Sequence, residues 1–243
     1  MPGKILNLGC GVKTSPLCIN IDWSLWIRIS RNPLLKRVAE MALDDSRRSK
    51  LTKLADKPIM AHDLKKGIPF ADNSVDGVYH SHLLEHIDRP IASVFLMEVK
   101  RVLKPGGVHR IAVPDLERLA RNYLSDFSNG HPHLDWHQHD DKIEEMIDQM
   151  VRRESVGTRQ FRPLRKKIET LFIGDARRRG ETHQWMYDRI NLPGLLRDLG
   201  FREVAVMDYR SSRIPRWEEI GLDFTDDRSG EYKTDSLYVE CIK

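Results

Sequence analysis

Cysteine is scarce in this chain and poorly spaced for chemistry. The 243 residues include 3 cysteines, Cys10, Cys18 and Cys241, an odd set without a CxxC pair. That excludes a disulfide framework and offers no zinc motif. Long apolar runs are missing too, and nothing approaches the roughly 18–20 residues that cross a bilayer as a helix. Lys4 leads straight into Ile5-Leu6, leaving no room for a signal peptide's charged and apolar regions. These absences lead to the expectation of a cytoplasmic protein.

What is present suits one large domain, or one domain carrying a substantial insertion. Hydrophobic residues make up 40% and charged residues 31%, enough for a core under a well-solvated surface. The net charge of +4 is unevenly spread, because Val151 to Gly180 holds ten Arg/Lys against three Asp/Glu. A basic segment on a mildly acidic body fits either an anionic partner or a solvated helical surface.

Short apolar runs alternate with helical stretches. Lys4–Leu8 reads as a first strand, Cys18–Asp22 as a second, and Pro58–Asp63 as a third. Val75–His80 reads as a fourth and Val108–Val113 as a fifth, with an amphipathic helix at Ser93–Leu103 ended by Lys104-Pro105-Gly106-Gly107. Trp23 to about Lys57 is helical in pieces, a lid-like segment. From about 124 to 181 the composition changes to histidines and then arginines, which marks an insertion after the fifth strand and its helix. A helix at Leu192–Leu199, a strand at Glu203–Met207 and a last strand at Ser236–Ile242 complete the chain. The pattern predicts a single α/β domain over residues 1–243 with a mostly parallel sheet.

The first strand stops at Gly9-Cys10-Gly11, where backbone must pass close to something. A phosphate loop is excluded because the glycine required before the Gly-Lys pair is missing. A dinucleotide fingerprint is incomplete, with Thr14 in place of the third glycine. A ligand without a pyrophosphate needs only the glycine bend and an acid at the end of the next strand to bond ribose hydroxyls. Asp22 stands there, and Asp63 at the third strand's end offers a further carboxylate beside a base.

Taken in order, several blocks resemble the class I S-adenosylmethionine-dependent methyltransferases, and most closely the small-molecule type of bacterial cell-surface polysaccharide clusters. They are Leu6-Asn7-Leu8-Gly9-Cys10-Gly11, Ile19-Asn20-Ile21-Asp22, His62-Asp63-Leu64, Ile68 to Asp76, His80-Ser81-His82-Leu83-Leu84-Glu85-His86-Ile87, Glu98 to Gly107 and Val113-Pro114-Asp115-Leu116. The resemblance implies a Rossmann-like seven-stranded sheet with the last strand antiparallel, and S-adenosyl-L-methionine as cofactor. By the same resemblance Gly9, Cys10 and Gly11 face its methionine part, Asp22 its ribose, and Asp63 with Leu64 its adenine. His80, Ser81 and His82 then lie near the reactive methyl. Asn7 stands where the family's first motif usually carries an acid. Only ten residues separate Gly11 from Asp22, too few for a helix plus a strand.

His82 is the candidate general base, a role suited to histidine near neutral pH, with Asp115 as a supporting carboxylate. A helix after the fourth strand would put His82, Glu85 and His86 on one face, with His86 either packing there or meeting the acceptor. His183, Trp185 and Tyr187 could line an acceptor pocket or simply pack. Cys10 reads as filler in a tight turn rather than a nucleophile. The run from His131 to His139 has a proline and two-residue histidine spacings that suit a loop, so no metal site is expected. The expected partner is a glycan or other small-molecule acceptor, and Trp26 to Arg37 offers a membrane-surface contact. A nucleic-acid methyltransferase is the alternative, though no Asn/Asp-Pro-Pro-Tyr/Trp pattern follows the fourth strand. A non-catalytic cofactor-binding module is the third reading.

Overall fold

The computed structural model describes residues 3–42, 45–55, 57–128, 142 and 183–243. The His131–His139 run and nearly all of the 124–181 insertion lie outside those residues. The first part of the chain runs through strands β1 (Ile5–Leu8) and β2 (Ile19–Asp22), helices α1 (Leu25–Arg31), α2 (Pro33–Ala42) and α3 (Asp45–Ala55), and strand β3 (Ile59–Ala61). It continues with β4 (Val75–Ser81), α4 (Arg89–Val102), β5 (Leu103–Pro114) and α5 (Leu116–Ser128). The last part holds α6 (Asn191–Asp198), β6 (Arg202–Met207), α7 (Trp217–Ile220) and β7 (Ser236–Ile242).

The strands form one seven-stranded sheet in the order β3-β2-β1-β4-β5-β7-β6. Neighbours from β3 to β5 run parallel, and β7 is antiparallel to both β5 and β6. This is the expected Rossmann-like methyltransferase architecture. All four residues of β1 are buried, as befits a central parallel strand covered on both faces. Helix α4 starts four residues before the expected Ser93, since Pro90 is tolerated in a first turn. Its apolar positions Ala92, Phe95, Leu96, Val99 and Val102 pack on the sheet. Lys104 to Gly107 belong to β5 rather than to a turn, so that strand starts at Leu103 instead of Val108.

One core lies under α4 and α6, and a second lies on the opposite face under α7, built on Ile5, Tyr79, Val108 and Trp217. The second core encloses Arg110, which is fully buried. Its guanidinium pairs with Asp223 at 2.8 Å and Glu240 at 2.9 Å, and donates to the carbonyls of Asp208, Tyr209 and Ser211. With a carboxylate on two sides and the remaining N–H groups bonded to carbonyls, the cation is tolerable inside.

Under α4, His80 and His109 meet with their Nε2 atoms 3.0 Å apart, sealed from solvent. One ring donates and the other accepts, so the two cannot both be protonated, and burial favours the neutral form of each. Burial holds His80 down to about 3, and burial together with the His80 ring keeps His109 well below its ordinary value. In the unfolded chain both titrate near 6.5. Stability is therefore complete above that pH and is lost as pH falls toward 3, because the unfolded state takes up the protons. Urea unfolding should show a loss of about 3–4 kcal/mol between pH 7 and pH 5 from these two rings. Because Glu85 works in the opposite sense over this window, the comparison is with His80→Leu, and an equal pH dependence in that variant contradicts the buried pair.

Candidate active site at the carboxyl edge of the sheet

Strand register sets the ends of four strands level. Leu8 pairs with both Ile21 and His80, and Ser81 pairs with Ala112. Gly9, Asp22, Ser81 and Ala112 therefore form one row. The row crosses the point between β1 and β4 where strand order reverses, the place where open α/β sheets bind ligands.

The bend after β1 needs glycine at both ends. Gly9 has φ +62° and Gly11 φ +51°, conformations that side chains rarely adopt. A Cβ on Gly9 would meet Leu83 at 3.0 Å, while one on Gly11 would meet nothing within 4 Å. Gly9 is thus packed, and Gly11 borders open space. Asp22 is buried beside it. One carboxylate oxygen accepts the Gly11 N–H at 2.7 Å, and the other accepts the Ser24 N–H at 2.6 Å.

Asn7 explains how so short a crossover closes. Its Nδ2 donates to the Lys13 carbonyl at 3.0 Å and to Asn20 Oδ1 at 2.9 Å. Asn20 in turn donates to the Ser15 carbonyl and accepts the Ser15 N–H. A carboxylate at position 7 could donate to neither acceptor. Asn7 is buried within this ladder and braces the loop from behind.

At the end of β3, Asp63 caps the single 3-10 turn Leu64–Lys66 by accepting the Lys65 N–H at 3.0 Å, and His62 Nε2 meets the Gly67 carbonyl at 2.9 Å. Leu64 is half-buried against the main core. On the far side of Asp22, Trp23 is 45% exposed with Arg28 over its ring at 5.3 Å, while Trp26 packs on the small core around Ile27 and Cys10.

Beyond β4 the expected α-helix is a 3-10 turn, Leu84–His86, and it still brings His82, Glu85 and His86 together. His82 has φ +49°. Its Nε2 lies 2.9 Å from Ser236 Oγ and its Nδ1 3.4 Å from Glu85 Oε1. Both ring nitrogens face protein. Burial, then the positive charges of Lys233 and neighbouring histidines, push the ring down to about 2. His82 is therefore no base poised near neutral pH, and the structure corrects that expectation. Glu85 is fully buried at the centre, and burial raises its carboxyl to about 8.

Two further expectations change. His80, in contact with His109 and Phe95, is closed off from the cleft and cannot touch a cofactor. Asp115 caps α5 through the N–H groups of Glu117 and Arg118 and pairs with Arg189 at 2.6 Å. It is committed to holding its own loop. Ser81 remains half-buried at the row's centre.

The segment from His183 to Tyr187 packs here by backbone. The N–H groups of Gln184 and Trp185 both donate to the Glu85 carbonyl, at 2.6 and 3.3 Å. His183 meets the His86 ring edge-on at 4.7 Å, and Arg89 lies 4.1 Å over Trp185. Tyr187 is buried rather than lining an open wall. The sequence reading noted Glu85 but gave it no role, and it missed Arg189 and Lys233. An acid inside the apolar run Leu83-Leu84-Glu85-His86-Ile87 was the available signal for Glu85.

Residues 6–111 match the family model of a methyltransferase domain, a span just under half of the chain. A search of curated proteins finds no match. Among solved structures, an S-adenosylmethionine-dependent methyltransferase from Methanosarcina mazei is 18% identical, with 100% of this chain and 92% of that chain covered and a TM-score of 0.43. One from Archaeoglobus fulgidus is 14% identical, covering 100% and 86%, with a TM-score of 0.41. The 1,6-didemethyltoxoflavin-N1-methyltransferase of Burkholderia thailandensis, solved with S-adenosylhomocysteine, is 13% identical over 100% and 71%, with a TM-score of 0.43. Likeness at this level carries no functional weight, which rests on the family match and the geometry.

The matched span runs from β1 into β5 and includes the bend, Asp22 and Asp63. With the sheet order it supports an S-adenosylmethionine-dependent methyltransferase, with S-adenosyl-L-methionine as cofactor. The residues fit that group. Gly11 leaves its Cβ side open, and each Asp22 oxygen, having accepted one N–H, has a lone pair left for a ribose hydroxyl.

Cys10 sits buried in this bend. Burial, then the Asp22 charge, push its thiol up to about 12; burial puts Cys18 at about 12 and raises Cys241 further. The thiolate is the nucleophile, so the native protein at pH 8 should resist a thiol reagent while the urea-unfolded chain titrates all 3 cysteines. Rapid labelling of Cys10 in the native state contradicts this reading.

Proposed function

We propose that the chain transfers a methyl group from S-adenosyl-L-methionine to an oxygen of a sugar, a lipid-linked glycan intermediate or a related small-molecule acceptor. The observation that carries the reading is the Asp22 carboxylate held 2.7 Å from the Gly11 N–H at a bend whose outer side is open. The bound cofactor supplies a sulfonium methyl, open to in-line attack. The protein's part is alignment, which can supply most of such a rate enhancement.

Asp22 holds the ribose and Asp63 with Leu64 borders the adenine, while Gly9 and Gly11 let the backbone approach the amino-acid end. Ser81, at the centre of the row, faces the reacting region. His82 and Asp115 act as positioning groups, one bracing Glu85 and the other the start of α5. Trp185, half-buried between the main core and Arg89, borders the acceptor side together with His183 and His86.

The acceptor class is supported by the likeness to the polysaccharide-associated type. Leu34 and Leu35 on α2 are exposed at 78% and 52%, as a contact with a membrane bearing a lipid-linked acceptor requires. No helix among the described residues is long and apolar enough to cross a membrane, and we place the reaction in the cytoplasm.

Purified protein incubated with methyl-labelled cofactor and pooled cell-envelope glycans, lipid-linked sugars and RNA should label the sugar fractions with base-stable methyl ethers. Label confined to RNA, or no transfer to any pool, overturns the acceptor assignment.

A further inference from the structure

Glu85 poses a problem that the methyl-transfer reading leaves unsolved. The residue is fully buried, and neither carboxylate oxygen has a hydrogen-bond partner among the described residues. Leaving a buried carboxyl unsatisfied is costly. The acid is also surrounded by groups suited to a shared guest. His86 Nε2 lies 3.9 Å from Glu85 Oε1, and Glu85, His86 and His183 each present a ligand atom within 4.8 Å of the other two. The Tyr187 hydroxyl is buried without a hydrogen-bond partner among the described residues, close enough for Glu85 to act on it. His82 approaches the same oxygen from the other side.

We infer that Glu85, His86 and His183 form a binding site for one divalent first-row transition cation. A carboxylate with two imidazoles is a donor set for zinc, manganese, cobalt or iron rather than for calcium. A bound cation displaces the Glu85 proton and gives both carboxylate oxygens the partner they lack.

The third ligand arrives from nearly a hundred residues away, and its position is built rather than accidental. The Gln184 and Trp185 N–H groups clamp the Glu85 carbonyl, fixing the chain one residue beyond His183. His82, with its other nitrogen against Ser236, braces the carboxylate as outer partners of metal ligands do. Metal–ligand bonds of about 2.1 Å set ligand atoms roughly 3–3.5 Å apart. The triad is wider, so binding draws it in by about an ångström, within reach of ring rotation at half-buried His86 and His183. Three protein ligands leave at least one coordination position open, and a role for it in presenting the acceptor oxygen rests on the methyltransferase reading.

The test uses the full chain stripped of metal with a chelator and titrated with Co²⁺ and Zn²⁺, followed by calorimetry, the visible Co²⁺ spectrum and Tm. One ion per chain, a visible band and a raised Tm are expected in the wild type. Glu85→Gln and His183→Ala should each weaken binding at least about tenfold. If Glu85→Gln fails to fold, His86→Gln and His183→Ala carry the comparison. Absence of binding, or binding that survives these substitutions, overturns the site. S-adenosylmethionine titrated into the metal-free protein reports on the methyltransferase reading separately: cofactor heat without metal binding refutes the cation site alone, and metal binding without cofactor heat refutes that reading alone.

Discussion

The contact between the Asp22 carboxylate and the Gly11 N–H is the constraint around which the site is organised. It ties the end of β2 to the bend after β1, so that two strand ends share one concavity. A carboxylate so placed does two jobs. It satisfies backbone donors of the turn, and it keeps lone pairs directed at whatever occupies the crevice. The second bond, from Ser24, fixes its rotation and starts the chain toward α1. The first bond follows from the register of β1 on β2, and the second is local to the turn after β2.

The crossover between the two strands is short, and Asn7 and Asn20 close it. A full crossover helix would present its N-terminus to an anionic group. This chain has no helix there, and a ladder of side-chain amides closes the loop instead. The unusual asparagine in the first strand and the missing helix, two separate departures in the sequence, have one cause. The polar core repeats the lesson on a larger scale. Arg110 lies between two carboxylates and the histidines below α4 bond each other, whereas Glu85 has histidines near it but no hydrogen bond to either oxygen among the described residues.

Much of this was legible beforehand because it follows from periodicity and punctuation. The strand–helix alternation yields the parallel sheet, and Gly-x-Gly followed by Asp22 yields the crevice. What failed did so for local reasons. Pro90 concealed the first turn of α4, and Gly106-Gly107, read as a turn, lies within β5. Strand direction hid the fate of His80: successive side chains alternate faces, and the sequence does not say which face α4 covers. Asp115 looked like a free acid because its partner Arg189 is 74 residues away. The cluster around Glu85 needed His183, which no spacing rule connects to a turn a hundred residues earlier.

The account stands or falls on whether the Asp22 carboxylate holds a nucleoside. Calorimetric titration of S-adenosyl-L-methionine into the wild type and into Asp22→Ala, at a temperature where both are folded, tests this directly. The account predicts a single saturable site in the wild type and a loss of at least about tenfold in affinity in the variant, the scale of a charge-assisted hydrogen bond. Equal affinity in both proteins, or no heat from either, would contradict it.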